Sequence, residues 1–206
     1  MILLLGFLAA CAPDEPRAVD APGWLKIQEF GPAVEIPRDG ALRLEYGVTG
    51  GAAVFDADGD GDLDILFTGT GPESPTRLWR QTDRLEFVDD TESAGFDATF
   101  FGIGATAGDI DGDGDVDVLL TGRMGCQLYR NDGTGRFEQS TQFLAQKCSS
   151  SATFLDFDLD GDLDLFVCRY ADISLNPDKE CRDPAGRLEL CGPTAHPALH
   201  DLLLNN

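Results

Sequence analysis

Three aspartate-rich loops constrain the fold of this chain more than any other feature of its sequence. The first lies in FDADGDGDLDILF, from Phe55 to Phe67, and the pattern returns in GDIDGDGDVDVLL and LDFDLDGDLDLFV. The three clusters begin at Asp56, Asp109 and Asp156, so the repeats are 53 and 47 residues apart. A motif that recurs at a period of about 50 residues predicts repeated supersecondary units.

Each repeat shows the same order of features, which predicts the same set of strands. Small residues such as Gly104-Ala105-Thr106-Ala107 precede the loop, and a short apolar run such as Val118-Leu119-Leu120 follows it. Short apolar runs bounded by turn residues predict buried strands. In the second repeat, QLYRNDGTGRFEQ adds a hairpin signal around its Asn-Asp-Gly turn. Four short strands per unit are typical of a β-propeller blade, in which small residues suit the crowded innermost strand.

The sequence therefore predicts an all-β fold, a β-propeller built from such blades. We expect blade 1 near residues 46–97, blade 2 near 98–147 and blade 3 near 148–206, with an insert at 169–200. Residues 12–45 are predicted to form a tether and a first outer strand. The sequence contains about three such blades. Because propellers usually need four or more blades to close, we expect an incomplete fragment of a propeller. A generic antiparallel β-protein with acidic loops is the alternative.

The aspartates of each loop have the spacing of calcium ligands. Numbered from the first aspartate, every loop has Asp at positions 1, 3, 5, 7 and 9 and glycine at position 6. The candidate metal residues are Asp56, Asp58, Asp60, Asp62 and Asp64; Asp109, Asp111, Asp113, Asp115 and Asp117; and Asp156, Asp158, Asp160, Asp162 and Asp164. Carboxylates at 1, 3 and 5 with a glycine at 6 resemble the first half of an EF-hand loop.

The second half of the motif differs from an EF-hand. Position 12 is Phe67, Leu120 or Val167 instead of glutamate, and the flanking residues predict strands. We expect the fourth carboxylate to come from position 9 and position 7 to contribute its backbone carbonyl. Like charges a few Å apart repel by about 4 kcal/mol per pair at an effective dielectric near 20, and a bound cation reverses this. Ligands that are all oxygen favour Ca²⁺ over Zn²⁺, so about three Ca²⁺ ions are expected.

The charge of the chain excludes one class of partner. It carries 37 acidic and 15 basic residues, a net charge of −22, and 15 of the acids lie in the three loops. Binding to nucleic acid requires basic side chains that neutralise phosphates. No nucleic-acid partner is therefore expected.

The amino terminus, MILLLGFLAAC, has the apolar run and small residues of an export signal. Leu8-Ala9-Ala10-Cys11 resembles the lipobox of bacterial lipoproteins. This resemblance implies that residues 1–11 are a signal segment, that cleavage follows Ala10 and that Cys11 carries the lipid. The chain is then exported and lipid-anchored at the bacterial outer membrane or in the periplasm. A frayed apolar terminus is the alternative.

Export permits disulfides among the remaining cysteines. Cys181 and Cys191 are close in sequence, within a segment rich in turn residues, and we expect them to pair. A Cys126–Cys148 bond is the second expectation, which leaves Cys168 as a free thiol. Sequence alone leaves other pairings open.

Two longer stretches resemble a known family. FFGIGATAGDIDGDGDVDVLL and QLYRNDGTGRFEQST resemble the FG-GAP/VCBS repeat, the blade of integrin-like propellers. The resemblance covers roughly residues 45–206 and implies calcium ligands at positions 1, 3, 5 and 9, with the carbonyl of position 7. DLDLFVCRY, the insert with Cys181 and Cys191, and HDLLLNN are similar to bacterial ASPIC/UnbV relatives of cartilage acidic protein.

The expected function is that of a calcium-binding interaction module, which engages a protein or glycan through its loop face and the membrane through its lipid. No enzyme activity is expected, because no nucleophile motif or phosphate-binding glycine loop occurs. The two histidines, His196 and His200, are separated by Pro197, which disfavours a helical metal pair. The alternatives are a propeller scaffold for an enzyme whose catalytic part lies elsewhere, and a purely structural spacer.

Overall fold

The computed structural model describes residues 50–69, 74–96, 100–140, 147–173, 179–189 and 191–206. The predicted signal segment with Cys11, the tether and the first outer strand lie outside the described residues. No helix in these ranges is long and apolar enough to cross a membrane.

Blade 1 is a four-stranded antiparallel sheet in which the strands follow one another in chain order. It contains β1 (Ala52–Phe55), β2 (Asp64–Phe67), β3 (Arg77–Asp83) and β4 (Glu86–Asp89). One helical turn, α1 (Thr91–Ala94), follows β4 and ends at Gly95 in the left-handed conformation. The first Asp loop therefore connects β1 to β2, the two strands nearest the start of the blade.

Blade 2 repeats this meander, and its first two strands are longer than those of blade 1. It contains β5 (Gly102–Gly108), β6 (Asp117–Gly122), β7 (Gly125–Asn131) and β8 (Phe137–Gln139). The predicted turn between Asn131 and Phe137 connects β7 to β8, whose pairing includes those two residues. The second Asp loop again connects the first strand of the blade to the second.

Blade 3 has three paired strands, and an insert separates the second from the third. The sheet order is β9 (Ser149–Leu155), β10 (Asp164–Arg169) and β13 (Leu202–Leu204), with β10 in the middle. The insert forms a small hairpin of β11 (Cys181–Arg182) and β12 (Leu188–Glu189), followed by a 3₁₀ turn at Pro193–Ala195. A bridge between Ala171 and Ala198 joins its two ends.

The cysteines follow the sequence expectations only in part. Cys181 and Cys191 form a disulfide that closes the insert hairpin. The expected Cys126–Cys148 bond is wrong, because both residues are buried and neither is disulfide-bonded. Cys126 is the second residue of β7 in blade 2, where it interacts with Ser149. Burial raises the pKa of Cys126 and so favours the neutral thiol, whereas the hydrogen bond with Ser149 acts in the opposite direction.

The blades contact one another through their first strands, with β1 against β5 and β5 against β9. A β-carbon on Gly51 would lie 2.5 Å from Cα of Gly104, which shows how closely the backbones approach. A β-carbon on Gly104 would in turn lie 2.8 Å from Oγ1 of Thr121 and 3.2 Å from the carbonyl of Ser150. Glycine before the first two Asp loops, at positions 51 and 104, is therefore required by this crowding, as expected for innermost strands.

The core lies between the sheets, and β6 is buried on both of its faces. Successive side chains of a strand point to opposite faces. Val118 and Leu120 accordingly pack in a cluster with blade 1, whereas Leu119 packs in a second cluster with Leu165 and Val167 of blade 3. The apolar run in the sequence is continuous for this reason. The all-β prediction is confirmed, with several antiparallel sheets.

Candidate functional site

The first aspartate of the first two loops organises the backbone that follows it. The carboxylate of Asp56 accepts hydrogen bonds from the N–H groups of Gly59, Asp60 and Gly61 at 2.8, 3.2 and 2.9 Å. Asp109 accepts the equivalent three bonds at the same distances. This winding of the backbone around a side chain is the reason that short aspartate-rich segments form a tight loop.

Glycine at position 6 is required by the backbone in all three loops. Gly61, Gly114 and Gly161 have φ of +92°, +98° and +102°. Position 4 is also left-handed, but the third loop has Leu159 there, at φ +63° and 85% exposed. A left-handed conformation costs an ordinary residue about 1–2 kcal/mol. The third loop therefore carries backbone strain at a position where Gly112 of the second loop carries none.

The aspartate at position 9 holds each loop to the third strand of its own blade or, in blade 3, to a residue just beyond that strand. Asp64 is fully buried, and its two carboxylate oxygens accept hydrogen bonds from N–H of Ala57 at 2.9 Å and from N–H of Gln81 at 2.8 Å. Asp117 and Asp164, also buried, repeat this geometry. Their donors are Ile110 and Asn131 for Asp117, and Phe157 and Asn206 for Asp164.

The environments of the position-9 carboxyl groups differ in their effect on the pKa. Burial raises the pKa of Asp64 and Asp117, against the hydrogen bonds that they accept. The N–H groups of Asn206 and Phe157 lower the pKa of Asp164. Burial penalises the charged form of a carboxyl group, and a nearby cation would remove that penalty.

Positions 1, 3 and 9 of each loop come together in space. One carboxylate oxygen from each of the three residues lies within 4.8 Å of the other two. The groups are Asp56, Asp58 and Asp64; Asp109, Asp111 and Asp117; and Asp156, Asp158 and Asp164. Because calcium–oxygen distances are about 2.3–2.6 Å, two oxygens on one ion can be at most about 5 Å apart.

Two oxygen atoms in these groups lack any hydrogen-bond partner. They are Oδ1 of Asp58 and Oδ1 of Asp156, both shielded from solvent. A buried charged oxygen without a partner is costly unless a cation binds it. The donor set is entirely oxygen, its spacing suits Ca²⁺, and it includes unsatisfied acceptors. The residues therefore fit a calcium ion.

Positions 5 and 7 lie outside the gathered groups. Oδ1 of Asp60 accepts the N–H of Asp62 at 2.9 Å, and Asp113 and Asp160 accept the equivalent bond from position 7 at 3.0 Å. The three position-5 residues are exposed. The structure thus brings together nine of the fifteen candidate aspartates. His196 and His200 belong to none of these groups, which were sought among the described residues.

Sequence reasoning missed the residues that face the gathered carboxylates from the third strand. They occupy one position in three matching tetrapeptides, LWRQ, LYRN and LLNN, which begin at residues 78, 128 and 203. Arg80 forms an ion pair with Asp58, and Arg130 forms ion pairs with Asp111 at 3.1 Å and Asp117 at 2.6 Å. The recurrence of arginine two residues after a leucine in a strand was the available signal.

The last residue of the second and of the third tetrapeptide connects its blade to the preceding one. Nδ2 of Asn131 donates a hydrogen bond to the carbonyl of Ala57 in the first Asp loop at 2.8 Å. Nδ2 of Asn206 donates the equivalent bond to the carbonyl of Ile110 in the second loop, also at 2.8 Å. The Asp loops are thus part of the contact between blades as well as candidate ion sites.

Comparison with known proteins agrees with this repeat structure. A family model described as FG-GAP-like repeat matches residues 56–120 and 109–167, which together cover more than half of the chain. Each match begins at the first aspartate of one loop and ends in the strand that follows the next loop. No curated protein matches the chain. Because the family model matches two overlapping repeats that together span more than half of the chain, the chain belongs to the FG-GAP-like repeat family.

Proposed function

We propose that this protein is a calcium-binding β-propeller module, held at the outside of a bacterial cell membrane by a lipid on Cys11. The observation that carries the calcium part is the repetition of one carboxylate geometry in three loops. A single acidic cluster is common on protein surfaces. Three copies at the same place in successive blades, two of them with an unsatisfied buried oxygen, support a common ligand.

In each loop, positions 1, 3 and 9 would hold the ion. A bound calcium supplies positive charge to carboxylates that otherwise repel one another. The residues of the chain do the remaining work. Position 1 accepts backbone N–H groups of the loop, glycine at position 6 allows the turn, and position 9 holds the loop to the end of the blade's third strand or to the residues just after it. Ion binding then stabilises the blade and its contact with the next blade.

A calcium titration of the purified chain tests this proposal. After removal of divalent ions with a chelator, we expect calorimetry to detect about three bound Ca²⁺ ions per chain, one for each group of three aspartates. The temperature of unfolding should rise with calcium concentration, because a ligand that binds only the folded state stabilises it. Magnesium at the same concentration is the control, since it retains its waters and should stabilise less. A folded chain that binds no calcium would contradict the proposal.

The lipid anchor rests on Leu8-Ala9-Ala10-Cys11. Expression of the chain in bacteria with a labelled fatty acid should label the protein and place it in the membrane fraction. The Cys11→Ser variant should lose both the label and the membrane association, because the thiol accepts the lipid. Label retained in that variant would exclude Cys11 as the attachment site.

The partner we propose is a protein or glycan that binds the loop face, with no catalytic reaction on this chain. The acidic surface and the absence of basic clusters in the sequence support this choice over nucleic acid. We also place the chain near the ASPIC/UnbV group, on the similarity of its insert and of HDLLLNN. Capture from envelope extracts in calcium, repeated in chelator, tests the partner: capture that is independent of calcium would contradict a role for the loops.

A further inference from the structure

Two of the three Asp loops contain a cation that the protein itself supplies. In the second loop, Nη1 of Arg130 lies 2.6 Å from Oδ2 of Asp117 and 3.1 Å from Oδ2 of Asp111. These are two of the three carboxylates gathered as the candidate ion site. The Arg130 side chain is 30% exposed, so its charge is only partly screened by water.

The first loop has the same arrangement with a more constrained arginine. Nη1 of Arg80 forms an ion pair with Asp58, which is one of the gathered residues. Nε and Nη2 of Arg80 also donate to Oδ2 of Asp90 at 2.8 and 2.6 Å. Oδ1 of Asp58 remains without a partner. Arg80 is therefore shared between Asp90 and one site carboxylate, whereas Arg130 pairs with two site carboxylates.

The third loop has a neutral residue at this position. Asn205 replaces arginine, and its Nδ2 donates to Oδ2 of Asp158 at 3.3 Å. The gathered carboxylates are otherwise the same three positions. With three carboxylates and no guanidinium, the third site has a more negative charge than either of the others.

We propose that Arg80 and Arg130 are internal counter-cations, which make the three sites unequal and leave the third as the site of highest calcium affinity. This inference rests on the proposed function, because it concerns the same ion sites. Without calcium, each guanidinium offsets carboxylate repulsion and keeps its blade folded. With calcium, the guanidinium opposes a like charge and competes for the same oxygens. The first two loops are thus stable at low calcium, and the third depends on the ion.

The matched pair Arg130→Gln and Asn205→Arg tests this assignment. Arg130→Gln removes the guanidinium from the site in the second loop, and Asn205→Arg introduces one at the site in the third loop. In a titration against a chromophoric chelator, the unaltered chain should show one tight and two weaker sites. Arg130→Gln should tighten one weak site by about tenfold or more at low ionic strength, because a unit charge a few Å from the ion is removed. Asn205→Arg should weaken the tight site by a similar factor.

Thermal unfolding gives an independent readout. In chelator, Arg130→Gln should lower the unfolding temperature and Asn205→Arg should raise it, whereas calcium should stabilise Arg130→Gln more than the unaltered chain. Arg130→Lys retains the charge and should keep the weak affinity, which separates charge from the shape of the side chain. Because Asn205 is exposed, Asn205→Arg remains informative even if Arg130→Gln fails to fold.

The outcomes separate the two proposals. Three calcium ions bound with affinities that neither variant changes would overturn the counter-cation assignment and leave the proposed function intact. One tightly bound ion in the unaltered chain and a second tightly bound ion in Arg130→Gln would support the assignment in its strongest form. No binding by the unaltered chain or by any variant would overturn both.

Discussion

Replacement of Asp117 by alanine is expected to lower the free energy of unfolding by about 3 kcal/mol, even in the presence of a calcium chelator. The Asp117 side chain is buried and accepts hydrogen bonds from N–H of Asn131 at 2.9 Å, N–H of Ile110 at 3.3 Å and the guanidinium of Arg130 at 2.6 Å. Each buried donor left without an acceptor costs about 1–3 kcal/mol. Urea unfolding monitored by circular dichroism measures the change.

Asp115→Ala is the matched control for this prediction. Asp115 occupies position 7 of the same loop and lies outside the gathered group. Because it is also an aspartate, its replacement by alanine changes the net charge of the chain by the same amount as Asp117→Ala. We expect a loss of less than about 1 kcal/mol, the usual range for a residue without such contacts. Equal losses for the two variants would show that the charge of the loop, and not the hydrogen bonds that Asp117 accepts, determines the stability of blade 2.

Asn131→Ala is expected to cost about 2–4 kcal/mol and to weaken the contact between blades 1 and 2. Its Nδ2 donates to the carbonyls of Ala57 and Val116 at 2.8 and 3.1 Å, and its Oδ1 accepts from Gly133 and Gly135 at 3.1 and 3.2 Å. The residue is 7% exposed, so water cannot replace these bonds without a rearrangement. Each unmade buried hydrogen bond costs about 1 kcal/mol or more. Urea unfolding measures the loss, and hydrogen exchange at β1 and β5 should report faster local opening.

Two variants distinguish the inter-blade bond from the turn that Asn131 also holds. Asn131→Asp keeps the acceptor for the two glycine N–H groups but places a carboxylate oxygen against two carbonyls, so it should also be destabilising. Asn206→Ala removes the exposed counterpart in blade 3, whose Nδ2 donates to the carbonyl of Ile110, and should cost only about 1 kcal/mol. If Asn131→Asp were as stable as the unaltered chain, the bond to Ala57 would contribute nothing.

Local chemistry made several features predictable from sequence. The Asp loops could be predicted because their aspartates bind backbone groups only a few residues away. The glycine at position 6 could be predicted because the local turn requires a positive φ, which is near +100° at Gly114. The apolar run at Val118-Leu119-Leu120 indicated a strand buried on both faces, and β6 is such a strand. Repetition at about 50 residues then predicted the blades. The disulfide between Cys181 and Cys191 closes a short segment, and for this reason it was the pairing that could be predicted from sequence.

Contacts between distant residues could not be predicted in this way. Cys126 and Cys148 were candidates for a bond because of their sequence positions, but Cys126 interacts with Ser149 at the join between two sheets. The sequence also did not show that folding gathers the carboxylates of positions 1, 3 and 9 of each loop. Position 9 joins the group because the strand that it begins returns beside the loop.

The sequence by itself determined the all-β class, the repeat and the oxygen chemistry of the loops, since each depends on residue type and short spacing. Only the tertiary structure decided what surrounds those loops. Arg130 reaches Asp117 from the third strand of the blade, and Asn131 reaches Ala57 across 74 residues of chain. Such contacts depend on how strands align and how sheets pack, and the free energy of that packing is shared among many residues. Arg130, within a strand, and Asn205, directly after one, have no distinguishing mark in the sequence, and they differ in their effect only where the fold places them against three carboxylates.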